Sequence, residues 1–135
     1  MDPLRGKQLL IIGLARQGIA LARYLTDRGI RITVSDSRSA ADLQDNLAQV
    51  ADLPITLALG GHPLSLLDDA DLLLVSGGVP TDIPIVRHAR QRDIPVSNDS
   101  QLFLDNCPAR VIGITGSAGK TTTTALTGEI LARYA

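Results

Sequence analysis

The chain is short of the features that would settle its class at once. It has a single cysteine, Cys107, in 135 residues, so no intrachain disulfide can form. It has no excess of charge: 13 Lys and Arg stand against 14 Asp and Glu, a formal net charge of -1. No global basic field is therefore available to hold a nucleic-acid backbone, and any phosphate must be gripped locally. Long apolar runs are missing as well. Stretches such as Leu72 to Val75 are strand-sized and far short of a membrane span. The opening MDPLRGKQ lacks the apolar core of a secretory signal, and a cytoplasmic location is expected. What is present is ordinary globular composition, 44% hydrophobic and 20% charged, enough for one modest core.

Strand-like and helix-like segments alternate along the first hundred residues. Gln8 to Ile12 (QLLII) is a mostly apolar run, β-branched at Ile11 and Ile12, that stops at Gly13, as a buried parallel strand does when it turns into a helix. From Gln17 to Arg28, Ile19, Ala20, Ala22 and Leu25 recur at helical spacing, with Gly29 placed for a C-cap. Further strands are predicted at Arg31 to Ser35, Pro54 to Leu59, Asp71 to Ser76 and Ile94 to Ser97. Helices are predicted after Ser39 as N-cap, carrying Leu43, Leu47 and Val50, and over Ile83 to Arg92 and Asp99 to Asp105. Repeated βαβ units imply a doubly wound, Rossmann-like parallel sheet in a three-layer α/β/α fold. The crevice of such a sheet opens at the carboxyl ends of its strands, where the sequence places Gly13, Asp36, Gly60-Gly61, Gly77-Gly78 and Asn98. Asn106-Cys107-Pro108 interrupts the pattern, giving a domain over 1–106 and a second segment over 107–135. The second opens with a predicted strand, Arg110 to Thr115, and ends within a helix near Tyr134. One strand and one helix do not complete a domain, so a longer parent protein is expected.

The motif with the most chemistry is GITGSAGKT at Gly113 to Thr121, a strand, a glycine-rich turn, Lys-Thr and a helix in order. Glycines let backbone N–H groups converge on phosphate oxygens, Lys120 reaches the terminal phosphates, and the Thr121 hydroxyl suits Mg²⁺. The usual first glycine falls at Ile114; Gly113 and Gly116 bracket it. A second turn, Gly13 to Gly18 (GLARQG), has Ala15 where a dinucleotide fingerprint has its middle glycine, while Asp36 stands where an acid would meet a ribose. Either a nucleotide diphosphate or close strand-to-helix packing accounts for this turn. Ser76-Gly77-Gly78-Val79-Pro80 at the same end of the sheet reads, on its own, as a flexible turn. His62 and His88 have no partners at metal-ligand spacing and read as structural or solvent-facing. Cys107 reads as a buried or linker thiol. Arg87, Arg90 and Arg92 read as the solvated face of a helix.

Taken in order, GLARQG, VSDSR, VSGGVP, SNDSQLF and GITGSAGKTTTT resemble the Mur ligase family over essentially the whole chain. The resemblance implies a UDP-binding Rossmann-like domain followed by the first βα unit of a central ATP-binding domain, the rest of that domain and a C-terminal domain lying elsewhere. It implies ATP-dependent amide formation through an acyl phosphate, with D-glutamate and UDP-N-acetylmuramoyl-L-alanine as partners, and ATP and Mg²⁺ as cofactors. Carried over by position, Leu14, Ala15, Arg16, Gln17, Asp36, Ser37, Arg38, Ser76, Gly77 and Gly78 would line the UDP pocket. Gly116, Ser117, Ala118, Gly119, Lys120, Thr121 and Thr122 would hold ATP, with Lys120 catalytic and Thr121 on Mg²⁺. Three positions depart from the family: Ala118 replaces an asparagine, Gly77 a frequent proline and Gln101 a frequent glutamate. The remaining catalytic parts lie outside these 135 residues, so the chain alone is expected to be inactive. A sibling that adds L-alanine, and a nonenzymatic NAD-binding Rossmann module, are the alternatives. A small P-loop NTPase fails on order, since its strand comes last and leaves no room for a Walker B acid.

Overall fold

The computed structural model describes residues 4–134; Met1 to Pro3 of the N-terminal stretch read above, and Ala135, lie outside the described residues. Five parallel strands form one sheet in the order β3-β2-β1-β4-β5. They are β1 (Gln8–Ile12), β2 (Arg31–Asp36), β3 (Thr56–Leu59), β4 (Leu72–Val75) and β5 (Val96–Ser97). Between and after them run α1 (Arg16–Thr26), α2 (Gln44–Ala48), α3 (Pro84–Gln91) and α4 (Asp99–Asn106), with a 3₁₀ turn at Leu64–Leu67. β1 sits in the centre, paired to β2 from Gln8 opposite Arg31 and to β4 from Leu9 opposite Leu72.

The alternation of side chains along a strand sorts the core into two layers. Leu9, Ile11, Ile32, Val34 and Leu74 project to one face, where they pack with Ile19, Leu21, Ala22 and Leu25 of α1 and with Leu102 of α4. Leu10, Ile12, Leu73 and Val75 project to the other, against Leu67 of the 3₁₀ turn and Ile85, Val86 and Ala89 of α3. Both faces are covered, which explains why β1 reads as a continuous apolar run rather than an alternating one. The three-layer Rossmann-like architecture is as the sequence predicts.

Two local expectations are corrected. Ser39 does not cap the helix that carries Leu43; its Oγ bonds Asp42, closing a tight turn at 2.6 Å, and α2 starts only at Gln44. Leu43 and Val50 are nonetheless buried as read. Arg110 to Thr115 is not a strand: residues 110–115 are irregular, although Val111, Ile112 and Ile114 are strand-forming residues. A parallel strand is held by ladder bonds to neighbours, and the described residues of this segment offer none.

The chain divides into two compact units, the first ending at Asp105 and the second beginning at Asn106. The second consists of the irregular segment and α5 (Lys120–Tyr134), which has no buried residue; Leu126, Ile130 and Leu131 are all exposed.

Candidate functional site

In the strand order β3-β2-β1-β4-β5 the direction of winding reverses between β1 and β4, the place where open α/β sheets form their crevice. The turn leaving β1 is built for close approach. Gly13 takes a φ of +98°, donates its N–H to the Ser35 carbonyl at 2.7 Å, and accepts from the Ser76 hydroxyl at 3.2 Å. Ala15, in extended conformation, begins α1 with no side-chain cap. The N–H groups of Ala15, Arg16 and Gln17 consequently have no acceptor among the described residues. Uncapped N–H groups and the positive end of an eleven-residue helix make an anion cradle.

A cavity of about 450 Å³ opens over this turn, lined by Gly13, Ala15, Gln17, Asp36, Ser37, Arg38, His62, Ser76, Gly78, Val79, Pro80 and Ile83. Seven of the residues predicted for a UDP pocket therefore meet in one place: Ala15, Gln17, Asp36, Ser37, Arg38, Ser76 and Gly78. Leu14 and Arg16 do not line it. The Leu14 side chain is fully buried in the core, and only its backbone serves the site, while Arg16 is exposed on the first turn of α1. Gly77 faces a neighbouring cavity of about 340 Å³ with Thr81, Arg90, Ser97 and Asn98. Gln17 lines both cavities, because its Oε1 accepts the Gly77 N–H at 2.8 Å and so ties α1 to the loop after β4. A proline at position 77 has no N–H to give, so the glycine here creates this tie. Gln17→Ala should lower global stability by less than about 1 kcal/mol yet speed amide exchange at Gly77, measurable by NMR.

Asp36 is the electrostatic centre of the site. Only 4% of it is exposed, and both carboxylate oxygens are fully engaged. Oδ2 accepts the Leu14 N–H at 2.8 Å and the Arg38 guanidinium at 2.9 Å. Oδ1 accepts the Arg38 N–H at 2.9 Å and its Nε–H at 3.0 Å. Burial alone would raise the Asp36 pKa, but the Arg38 guanidinium and the Leu14 and Arg38 N–H groups outweigh it and hold the carboxyl at about 2. A carboxylate has about four lone-pair sites, and all are spent on the protein. Asp36 thus orders the turn and aims Arg38, and it has nothing left for a ribose hydroxyl.

Among the lining residues that the sequence left without a site role are His62 and Arg90. His62, taken above as structural or solvent-facing, lines the larger cavity, and Arg90, taken as solvated helix surface, lines the smaller. Both depend on register across loops of irregular structure, which spacing alone does not reveal. His88 is as read, exposed and bonded to the Pro84 carbonyl. Cys107 is half-buried beside the Ala109 carbonyl.

In the second unit, Gly116 and Gly119 take φ of +152° and +78°, and Lys120, first residue of α5, donates from Nζ to the Gly116 carbonyl. The loop from Gly116 to Thr122 is exposed throughout. Among the described residues no group of three or more His, Cys, Asp or Glu is placed to hold a metal, and no helix is long and apolar enough to cross a membrane.

Residues 7–98 match the family model described as Mur ligase MurD-like, N-terminal domain. The chain belongs to that family. It is 44% identical over 128 residues to the UDP-N-acetylmuramoylalanine--D-glutamate ligase of Koribacter versatilis, covering 95% of this chain and 28% of that protein. The protein of the same name from Geobacter sp. is 46% identical over 128 residues, again 28% of its length. The chain thus spans little more than a quarter of the curated relatives it matches. Among solved structures, it is similar to a pseudomurein peptide ligase type C from Methanothermus fervidus, with a TM-score of 0.58 and 29% identity over 94% of this chain and 26% of that one. It is also similar to a UDP-N-acetylmuramate-alanine ligase from Thermotoga maritima, with a TM-score of 0.59 and 25% identity over 93% of this chain and 29% of that one. The matched stretch covers the Rossmann-like sheet and the residues around its switch point.

Proposed function

We propose that the first unit of this chain binds the UDP end of UDP-N-acetylmuramoyl-L-alanine, and that the chain is the N-terminal part of an ATP-dependent ligase that joins D-glutamate to that substrate. The observation that carries the reading is the cavity at the switch point. Its glycine-turn side offers uncapped N–H groups of α1 to a diphosphate, and its β2–β3 side, with Ser37, Arg38 and His62, has room for a nucleoside. The name shared by the curated relatives supports the choice of amino acid. Asp36, with its carboxylate spent on Leu14 and Arg38, speaks against an NAD-binding module, in which the acid is needed for the ribose.

The same reading assigns residues 1–106 to the substrate-binding domain and 107–135 to the opening of an ATP-binding domain. The loop from Gly116 to Thr122 fits a nucleotide phosphate: it is exposed, its glycines hold backbone turns open to N–H donation, and Lys120 begins a helix. Lys120, now satisfied by the Gly116 carbonyl, would turn to phosphate oxygens, and Thr121 would present its hydroxyl to Mg²⁺. When bound, ATP supplies the phosphoryl group that activates the substrate carboxylate for amide formation. In this reading these 135 residues supply the UDP-binding end of the ligase, and a cytoplasmic location goes with it.

Calorimetric titration tests it. UDP-N-acetylmuramoyl-L-alanine should bind, and NAD should not. Binding of NAD alone would replace the reading with a regulatory Rossmann module. Binding of UDP-N-acetylmuramate as tightly as its alanyl form would move the chain toward the L-alanine-adding sibling suggested by the Thermotoga maritima structure.

A further inference from the structure

We propose that Gln17 is a specificity-determining wall across the crevice, admitting a nucleoside diphosphate to the β2–β3 side and refusing a dinucleotide that would have to lie on both sides. This rests on the nucleotide reading above and adds to it what the site excludes. In a doubly wound sheet the crevice runs over the carboxyl ends of the strands, and a dinucleotide lies along it with its diphosphate at the glycine turn and a nucleoside to either side. Here the crevice is in two parts. The larger cavity, about 450 Å³, extends over β2 to Asp36, Ser37 and His62, and the smaller, about 340 Å³, extends over β5 to Val96, Ser97 and Asn98. Gln17, Ser76 and Val79 line both, so these three form the boundary between them.

The boundary has a fixed floor and one part that can move. Ser76 is only 3% exposed and donates its hydroxyl to the Gly13 carbonyl at 3.2 Å, and the Val79 N–H returns to the Ser76 carbonyl at 2.9 Å. Gln17 is exposed. Its side chain reaches from the first turn of α1 to the loop after β4, where Oε1 accepts the Gly77 N–H at 2.8 Å. A Cβ on Gly77 would stand 2.8 Å from that oxygen and 3.1 Å from Nε2, closer than a side chain allows, so it is the glycine that lets the amide seat flush against the loop. A diphosphate held by the N–H groups of α1 leaves this bond in place. A second nucleoside must break it and turn Gln17 outward, which costs on the order of tenfold in affinity. Room is not what the far side lacks: the smaller cavity is of ligand size and is lined by Thr81, Ser97, Asn98 and Ser100, all able to bond a sugar hydroxyl. With the wall in place, a group attached beyond the diphosphate has to leave the crevice away from the sheet.

Calorimetric titration of the unaltered chain, Gln17→Ala and Gln17→Met with UDP and with diuridine diphosphate, two uridines joined through one diphosphate, tests the wall. The readout is the ratio of the two affinities in each protein. Any part Gln17 takes in holding the diphosphate is common to both ligands and cancels when the ratios are compared, as does their difference in phosphate charge. The unaltered chain should prefer UDP by about tenfold. In Gln17→Ala the preference should shrink by roughly fivefold or more, since no bond has to be broken; in Gln17→Met, which keeps the bulk but cannot accept from Gly77, it should shrink by less. Position 17 is exposed and alanine is a strong helix former, so the variant should fold. A preference unchanged in Gln17→Ala, equal binding of both ligands by the unaltered chain, or loss of UDP binding confined to the variants overturns the wall and leaves the nucleotide reading standing. Absence of UDP binding to the unaltered chain overturns both.

Discussion

Replacing Asp36 with alanine is expected to lower the stability of the first unit by roughly 3 kcal/mol and to abolish binding in the large cavity. The carboxylate takes four hydrogen bonds, from the Leu14 and Arg38 backbones and from the Arg38 guanidinium, and its side chain is only 6% exposed. Its removal strands the Leu14 N–H in the interior, which alone costs about 1–3 kcal/mol. Arg38, whose side chain is 46% exposed, finds water instead, so the full penalty of a stranded buried charge does not apply. What is lost with it is aim: the guanidinium is no longer held over the cavity.

The pH dependence reports the ionic part of that loss. A carboxyl held at about 2, against an ordinary value of 3.8, contributes roughly 2 kcal/mol. Because the folded value is the depressed one, the contribution is fully present above about pH 4 and is lost as the pH falls from there toward about 2. Urea unfolding of the native chain and Asp36→Ala at pH 7, 4, 3 and 2 should show the gap between them narrowing across that window. A gap below about 0.5 kcal/mol at pH 7 would mean the turn is held by packing alone.

The residues that were legible are those whose structure follows from local chemistry. QLLII ends at Gly13 because the chain must turn there, and β1 spans Gln8–Ile12 as read. The same logic predicts a strand at Arg110 to Thr115 and fails, since a strand is a relation between segments and its apolar run pairs with no strand among the described residues. Asp36 was correctly placed at the end of β2, but an acid at that interval has two possible duties. Only the distances show its oxygens spent on Leu14 and Arg38. His62 was invisible for a related reason. Its position depends on Gly60 and Gly61 bonding back to Arg38 and Asp36, contacts spanning more than twenty residues that no local pattern encodes.

Gly18→Ala should be more damaging still, costing more than about 3 kcal/mol or preventing folding. A Cβ at position 18 would lie 1.9 Å from the Gly13 carbonyl oxygen and 3.0 Å from its carbon, so the clash is with backbone rather than a movable side chain. Gly13 has no way to retreat. Its N–H is pinned to the Ser35 carbonyl, its carbonyl receives the Ser76 hydroxyl, and its φ of +98° is unavailable to other residues. The strain must then lift α1 from the sheet, opening the layer formed by Ile19, Ala22 and Leu25. Gly77→Ala is the matched control. Its Cβ would meet the Gln17 amide at 2.8 Å, the far end of a flexible side chain, and the cost should stay near 1 kcal/mol. Denaturant midpoints of the two variants decide the matter: comparable losses would mean that α1 can shift on the sheet, and that the close approach at Gly18 serves packing no more strictly than Gly77 serves its loop. A large gap would show that the turn proposed to cradle the ligand phosphates is also the point where helix and sheet are locked together, so that the geometry of the proposed anion site is inherited from the fold itself.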